Sequence, residues 1–139
     1  MNNAAPVKFG MGAPVRRKED KALVTGTGIY TDDYVPEGML RAVVLRSTMG
    51  HAHFRLGELD EVKAMPGVRL VMTHADLGGI GGLPCRATVR QTDGNTQKVP
   101  PHPLLVKDVV RHVGDPIAFI VADTLEQARL AAESIEIDY

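Results

Sequence analysis

Cysteine and aromatic residues are scarce in this sequence, and tryptophan is absent. The chain has 139 residues with one cysteine, Cys85, and Phe, Tyr and Trp together make up 4%. A single thiol excludes an internal disulfide framework and a multi-cysteine zinc or iron–sulfur site. Residues 1–10 also lack the apolar stretch of a signal peptide. Both features favour a reducing compartment, and we expect a cytoplasmic location.

Long hydrophobic runs and an excess of one charge are missing as well. No stretch approaches the roughly 18 consecutive apolar residues of a membrane span. The chain has 16 Lys and Arg residues and 17 Asp and Glu residues, which gives a net charge of −1. This balance argues against a nucleic-acid or anionic-membrane binder that acts through bulk charge. With 44% hydrophobic and 24% charged residues, the composition predicts one soluble globular domain.

The N-terminal segment differs in composition from the rest of the chain. Residues 1–13 are rich in Asn, Ala and Gly without periodicity, and we predict an N-terminal arm there. The domain itself is predicted to span residues 14–139. It begins with a short polar helix over residues 16–24, which Leu23 and Val24 are expected to anchor.

Five apolar segments predict strands. Residues 40–46 are apolar on both alternating sets, as is typical of a central strand, and residues 117–122 form a continuous apolar run. Residues 68–72 predict another strand. Residues 54–59 and 135–139 alternate between apolar and polar side chains, which predicts half-buried strands.

Capping signals predict the remaining helices. Asp60 is a candidate cap for one or two helical turns at residues 61–65. Residues 73–76 fit a capping box for one helical turn, and Asp123 with Glu126 predicts the cap of a longer helix. The apolar face of that longer helix is expected to contain Leu125, Ala128, Ala131, Ala132 and Ile135.

These elements form two strand–helix–strand units, at residues 54–72 and 117–139. The helices are too few and too short for a doubly wound sheet, so we predict an α+β domain with a mixed β-sheet covered on one face by a few short helices.

Residues 78–102 are irregular, with one short strand at 87–90. A loop of this length is usually functional or packs against another polypeptide. The expected core residues are Leu40, Val44, Leu70, Phe119, Val121, Ala128 and Ile137.

Histidine and cysteine provide the first candidates for chemistry. His51 and His53 are two apart, so on a strand both imidazoles would point to one side and could bind a metal. No third ligand has a suggestive spacing, and we favour two polar residues at a strand start. Cys85 has no identifiable activating base, which favours a buried or incidental thiol.

Glycine and aspartate pairs provide weaker candidates. Residues 26–28 contain two glycines of a dinucleotide fingerprint, but no strand runs into them, so a backbone turn is favoured. Residues 78–82 lack the Lys and Ser or Thr of a phosphate-binding loop. Asp32 and Asp33 would point to opposite faces of a strand, which favours a turn over an acid/base pair. The residues alone therefore predict no catalytic constellation.

An ordered set of segments nevertheless resembles one family of enzymes. These segments are residues 12–20, 23–33, 38–40, 45–47, 51–52, 64–68, 75–77, 110–118, 127–128, 131–133 and 137–139. Together they are similar to the N-terminal part of the large, molybdenum-binding subunit of the xanthine dehydrogenase, aldehyde oxidase and carbon monoxide dehydrogenase family.

The resemblance implies that this chain is an a/b hammerhead domain, in agreement with the predicted α+β class. It implies enzymes that hydroxylate a carbon centre with water as the oxygen source, or oxidise carbon monoxide. The molybdopterin-type cofactor and the active-site glutamate belong to later segments of such subunits, so no catalytic, cofactor-binding or metal-binding residue is assigned to this chain. The implied partners are the remainder of the large subunit and iron–sulfur and FAD subunits or domains.

We therefore predict the N-terminal domain of a molybdenum hydroxylase large subunit, with a scaffolding and subunit-contact role. The sequence ends within a predicted strand, which favours a fragment of a larger subunit, inactive by itself. Two alternatives stay open. One is a stand-alone protein-interaction module that uses the Gly- and Pro-rich loop, and the other is a small metal hydrolase that uses His51 and His53.

Overall fold

The computed structural model describes residues 16–139, which belong to two compact units divided between Glu37 and Gly38. The predicted arm at residues 1–13, and with it the predicted domain boundary, lies outside the described residues. The helices are α1 (Asp20–Val24), α2 (Asp60–Lys63) and α3 (Leu125–Glu133), and the strands are β1 (Arg41–Arg46), β2 (Ala52–His53), β3 (Arg55–Leu56), β4 (Val68–Met72), β5 (Val109–Val110), β6 (Pro116–Ala122) and β7 (Ile137–Asp138).

The described part of the first unit contains one short helix and a 3₁₀ turn. Helix α1 has five residues, so the predicted helix over residues 16–24 was too long. It ends where the backbone N–H groups of Thr27 and Gly28 both donate to the carbonyl of Ala22, at 2.8 and 2.9 Å. The Val24 side chain is 87% exposed. The expectation that Val24 anchors this helix was therefore wrong.

A three-stranded antiparallel sheet in the order β1–β6–β4 is the centre of the second unit. The apolar run of β6 predicted a buried strand, and β6 indeed lies in the middle. Strand β1, predicted to be central, is at the edge. Both faces of β1 are apolar although the strand pairs only with β6. Val43 and Leu45 pack against the helix-side core, and Val44 lines a groove on the other face.

The two predicted strand–helix–strand units are present, and they pair with each other. The first is β3–α2–β4 and the second is β6–α3–β7. Strand β4 pairs with β6, and β3 pairs with β7, both antiparallel. Strands β2 and β5 form a third small pair. The α+β class with few short helices is confirmed.

Helices α2 and α3 cover one face of the three-stranded sheet. Alternate residues Ala118, Ile120 and Ala122 of β6 are fully buried there, against Ala128 and Ala131 of α3. Alanine lets the helix backbone approach the sheet closely, and the contact excludes water from both surfaces. A smaller cluster packs under β2 and β5 and consists of Phe54, Val106, Val110 and Ile117.

Several predicted core residues are on the wrong face or exposed. Val44, Phe119 and Val121 are half-buried and lie on the sheet face opposite the helices, because side chains alternate along a strand. Leu40 and Leu70 are exposed, at 46% and 43%. Of the predicted set, Ala128 is fully buried and Ile137 packs against the main core while half-buried.

The cap of α3 is one residue later than predicted. Thr124 is the N-cap, and its hydroxyl accepts a hydrogen bond from the Gln127 N–H at 3.2 Å, while the Gln127 side chain accepts from the Thr124 N–H. Asp123 does not cap the helix because its carboxylate accepts two hydrogen bonds from Arg69, at 2.8 and 2.9 Å. Leu125, expected on the apolar face, is 41% exposed.

Two further local predictions differ from the structure. Leu59 is the N-cap position of α2, and Asp60 is the first helical residue without a side-chain cap bond. Residues 78–102 contain no strand, and the predicted strand at 87–90 is reduced to an isolated bridge between Arg90 and Thr96. No helix within residues 16–139 has the length and apolarity needed to cross a membrane.

Candidate functional site

The two histidines considered as metal ligands are exposed and do not meet further ligands. His53 ends β2 and His51 precedes it in a bend. Across residues 16–139, no three His, Cys, Asp or Glu side chains are placed to hold a metal ion together.

The glycine and aspartate motifs have the turn roles that the sequence favoured. Residues 26–28 close the end of α1 through backbone hydrogen bonds. Asp33 lies in the 3₁₀ turn Thr31–Asp33, and its carboxylate accepts a hydrogen bond from the Tyr30 N–H at 2.9 Å. Gly78, at φ +54°, ends the 3₁₀ turn His74–Leu77.

Cys85 is exposed, so the buried alternative for its thiol was wrong. The thiol donates to the carbonyl of Ala87 at 3.2 Å, and the Gln97 amide lies 3.6 Å from the sulfur. Gln97 also donates to the carbonyl of Ala87 at 2.7 Å. These contacts connect residues 85–87 of the irregular loop to Gln97, so the thiol takes part in holding the loop together.

Sequence reasoning missed an apolar groove on the sheet face opposite the helices. The groove has a volume of about 450 Å³. Val44, Met72 and Phe119, one from each strand of the sheet, form its floor, and Leu83 and Leu105 contribute to its wall. Its size is within the range of clefts that hold a ligand or a partner side chain.

Basic groups line the rim of this groove. Arg46, His102 and His112 are all exposed, and no Asp or Glu is among the lining residues of residues 16–139. The Arg46 guanidinium donates one hydrogen bond to the carbonyl of Gly114 at 2.9 Å. It forms no ion pair within the described part of the chain. The rim is thus complementary to a negatively charged group.

A buried carboxylate holds the turn next to this rim. Asp115 is 5% exposed, and its Oδ2 accepts a hydrogen bond from the Arg111 N–H at 2.8 Å. His112 Nδ1 lies 3.4 Å from the same oxygen. The carbonyl of Asp115 accepts from the N–H of Ser47, at 2.9 Å, and the carbonyl of Ser47 accepts from Gly114. This turn fixes the position of Gly114, and thereby that of Arg46.

A second polar contact fixes the loop that enters the groove wall. The predicted capping box is present: the Asp76 carboxylate accepts hydrogen bonds from the Thr73 N–H and hydroxyl, at 2.7 and 3.0 Å. These bonds, the backbone one first, lower the pKa of Asp76 below its usual value. His74 Nδ1 lies 3.0 Å from the carbonyl of Leu105 and connects this turn to the wall.

The signal that could have found the groove was present in the sequence. Apart from Arg41, Arg46 and Arg69, the residues of the three sheet strands are apolar on both faces. A sheet with one solvated face instead shows alternation of apolar and polar residues. Two faces of apolar residues need two covering layers, and the sequence offers helices for only one. The groove itself depends on the path of residues 77–105, which local patterns do not determine.

Comparisons with known proteins identify the domain. Residues 25–139 match the family model described as aldehyde oxidase and xanthine dehydrogenase, a/b hammerhead domain. The nicotine 6-hydroxylase large subunit of Paenarthrobacter nicotinovorans is 35% identical over 129 residues, covering 92% of this chain and 15% of that protein. The carbon monoxide dehydrogenase large chain of Afipia carboxidovorans is 35% identical over 130 residues, covering 94% and 15%.

A solved structure agrees with these relatives. The crystal structure of quinoline 2-oxidoreductase from Pseudomonas putida 86 matches with a TM-score of 0.74 and 36% identity, over 90% of this chain and 15% of that one. The chain thus spans about 15% of the length of the relatives that it matches. The family match and the shared fold establish that the chain belongs to the aldehyde oxidase and xanthine dehydrogenase family, as its a/b hammerhead domain.

Proposed function

We propose that this chain works as the N-terminal domain of the large subunit of a molybdenum-dependent hydroxylase or dehydrogenase. In this role it provides structure and subunit contacts, while the reacting groups belong to other parts of the subunit. The observation that carries the proposal is the match to large subunits over nearly the whole of this chain, which is a small part of theirs.

The properties of the described residues are consistent with a supporting role. The buried positions of the second unit are apolar apart from Ser47 and Asp115, and both of these are hydrogen-bonded to neighbouring backbone. The groove has an apolar floor with Arg46 at its rim, and no carboxylate of residues 16–139 lines it. Such a site is suited to binding an apolar group with an adjacent anion.

The family resemblance supplies the wider context of the proposal. The molybdopterin-type cofactor would be held by the remainder of the large subunit, and iron–sulfur and FAD subunits or domains would accept the electrons. We place the complex in the cytoplasm and the domain itself at residues 14–139. The oxidised substrate is a xanthine, an aldehyde, carbon monoxide or a related compound of that class.

The natural gene product tests this proposal. It would be purified from its own host through an affinity tag, and its mass, subunit composition and molybdenum content would be measured. We expect a subunit several times longer than this chain, with molybdenum and oxidoreductase activity towards an aldehyde, purine, N-heterocycle or carbon monoxide panel. The isolated 139-residue chain is the matched control, and it should contain no molybdenum and show no oxidoreductase activity.

Two results would contradict the proposal. One is stoichiometric molybdenum in the isolated chain. The other is a natural gene product that ends at Tyr139 and copurifies with no molybdenum-containing subunit, which would favour the stand-alone interaction module. A metal hydrolase that uses His51 and His53 would instead bind zinc, and the loss of that binding in a variant with both histidines changed to alanine would support it.

A further inference from the structure

We propose that the sheet face opposite the helices, which we call the outer face, is where the remainder of the large-subunit polypeptide packs. The occupant is an apolar segment of that polypeptide with a carboxylate placed against Arg46. This inference rests on the proposed function, because it takes the chain to be one domain of such a subunit.

The outer face consists of two rows of apolar side chains that cross all three strands. Ala42, Val121 and Leu70 form one row, and each neighbouring pair is in direct cross-strand register. The second row is Val44, Phe119 and Met72. Side chains in direct register point to the same face of a sheet. Six apolar side chains therefore form one continuous surface.

The outer face differs from the helix face in what covers it. Residues 77–105 form a wall over the second row and leave the groove between. The first row is more open, and the Leu70 side chain is 43% exposed at the centre of its strand. Helices α2 and α3 pack on the opposite face of the sheet and do not cover the outer face. An apolar surface of this kind, rimmed by polar groups, marks an interaction site.

The charge of the rim narrows the chemistry of the occupant. Arg46 is the last residue of β1, two residues after Val44 of the second row, and it lines the groove. Its guanidinium has further hydrogen-bond donors beyond the one directed at Gly114. The imidazole of His102 is also part of the lining, whereas His112 Nδ1 already lies 3.4 Å from Asp115 Oδ2. No acidic side chain lines the groove within residues 16–139. A carboxylate adjacent to apolar side chains satisfies both features of the site.

Two other occupants fit the surface less well. A second copy related by a two-fold axis would bring two Arg46 rims to one interface, and like charges oppose such contact. A small molecule would fill the groove and leave the row of Ala42, Val121 and Leu70 open. The relatives contain a much longer polypeptide, of which this domain is about 15%. That polypeptide is large enough to cover both rows.

Site-specific photo-crosslinking in the natural gene product tests the assignment. Leu70 would be replaced by p-benzoyl-phenylalanine, with the same replacement of Leu130 as the matched control. Leu130 is also an exposed leucine, at 57%, but lies on α3 away from the outer face. We expect position 70 to crosslink to large-subunit peptides outside residues 1–139, as identified by mass spectrometry, and position 130 not to reach those peptides.

Charge variants test the role of Arg46 in the same experiment. Arg46→Glu should abolish most of the crosslink from position 70, because it places a carboxylate against the proposed carboxylate. Arg46→Lys should restore it. Arg129→Glu, which changes the same charge on α3, should leave it unaltered. Unchanged thermal unfolding of the isolated variant chains would show that the losses do not come from misfolding.

Several outcomes would overturn the inference. These are a crosslink from position 70 to a second copy of this domain or to another protein, no crosslink, or equal crosslinks from positions 70 and 130. An undiminished crosslink in Arg46→Glu would contradict the charge assignment. Molybdenum content, measured on the same samples, separates the two proposals. A molybdenum-loaded subunit without the crosslink refutes only the surface, whereas a sample without molybdenum or further large-subunit sequence refutes the proposed function.

Discussion

The two faces of the three-stranded sheet are both apolar, but only the face covered by the helices is part of the main hydrophobic core. On the helix face, Ile120 and Ala122 are fully buried against the alanines of α3. On the outer face, Phe119 and Val121 of the same strand are half-buried, and their neighbour Leu70 is exposed. Ile117, at the start of β6, is fully buried in the smaller cluster, so the contrast between the two faces applies to residues 118–122 of this strand.

The contrast has a physical consequence for folding and assembly. Burial of apolar surface stabilises a fold in proportion to the area removed from water. Residues on the helix face have already lost that area in this chain, whereas those on the outer face keep part of it for a later contact. Substitutions on the two faces should therefore affect different measurements: unfolding for the helix face, and assembly for the outer face.

The largest expected effect is the truncation of a residue on the helix face. Ile120→Ala removes a fully buried side chain from the middle of the central strand. We expect a loss of about 2–5 kcal/mol in the free energy of unfolding, because the cavity adds to the lost transfer energy. Urea denaturation of the isolated chain measures this. Val121→Ala, the adjacent residue on the outer face, should cost clearly less, and equal losses would contradict the contrast.

The next largest effect concerns the close contact between α3 and the sheet. Ala131 is fully buried, so Ala131→Leu must displace neighbours that are already packed. We expect a destabilisation of about 1–3 kcal/mol from this overpacking. Leu130→Ala, one position along on the exposed side of α3, should change stability by about 0.5 kcal/mol or less. Thermal or urea unfolding of the pair checks both values, and a stabilised Ala131→Leu variant would mean that the interface has unfilled space.

An extra residue in β4 separates its two faces. Val68 pairs with Ala122 and Leu70 with Val121, so Arg69 forms a bulge without a partner of its own. The bulge lets both Val68 and Val71 pack against the helix-side core while Leu70 faces outward. The guanidinium of Arg69 donates to Asp123 at the start of the turn into α3. This contact connects the bulge to the helix.

The Arg69 contact predicts a pH dependence. Hydrogen bonding from Arg69 lowers the pKa of Asp123 in the folded chain. Its contribution to stability is therefore complete above the unfolded pKa of about 3.9 and is lost as the pH falls through the lower folded pKa. Asp123→Asn should reduce the urea midpoint at pH 6 and show a smaller further decrease between pH 5 and pH 3 than the parent chain.

A control is needed because Asp123 is not the only carboxylate with a lowered pKa. Asp76 has the same sign of shift through its hydrogen bonds with Thr73, so some acid sensitivity should remain in Asp123→Asn. Asp60→Asn replaces a 90% exposed side chain 3.6 Å from Lys63. It should leave the pH profile nearly unchanged, and a profile of Asp123→Asn identical to that of the parent would contradict the role of Arg69.

The sequence predicted the elements better than it predicted their faces. Strand β4 and the box of Thr73 and Asp76 could be identified because their signals are local. The buried face of β6 could not be predicted, because both sets of alternating residues in a continuous apolar run are equally apolar. Which set is buried depends on the side of the sheet against which the helices pack. Asp123 and Thr124 are both good cap residues, and only the distant Arg69 decides between them. The groove depends on the long loop, for which no local pattern exists.

The smallest expected effect on stability is also the sharpest comparison of the two faces. Leu70 and Val71 are neighbours in β4, but Leu70 is 43% exposed and Val71 is 5% exposed. Leu70→Gln should change the unfolding free energy of the isolated chain by about 0.5 kcal/mol or less, as expected for surface positions. Val71→Gln should cost more than 1 kcal/mol, because it buries an amide among apolar side chains, where unpaired polar groups cost about 1–3 kcal/mol. Urea unfolding of both variants makes the comparison, and similar losses would mean that the outer face is already part of the core.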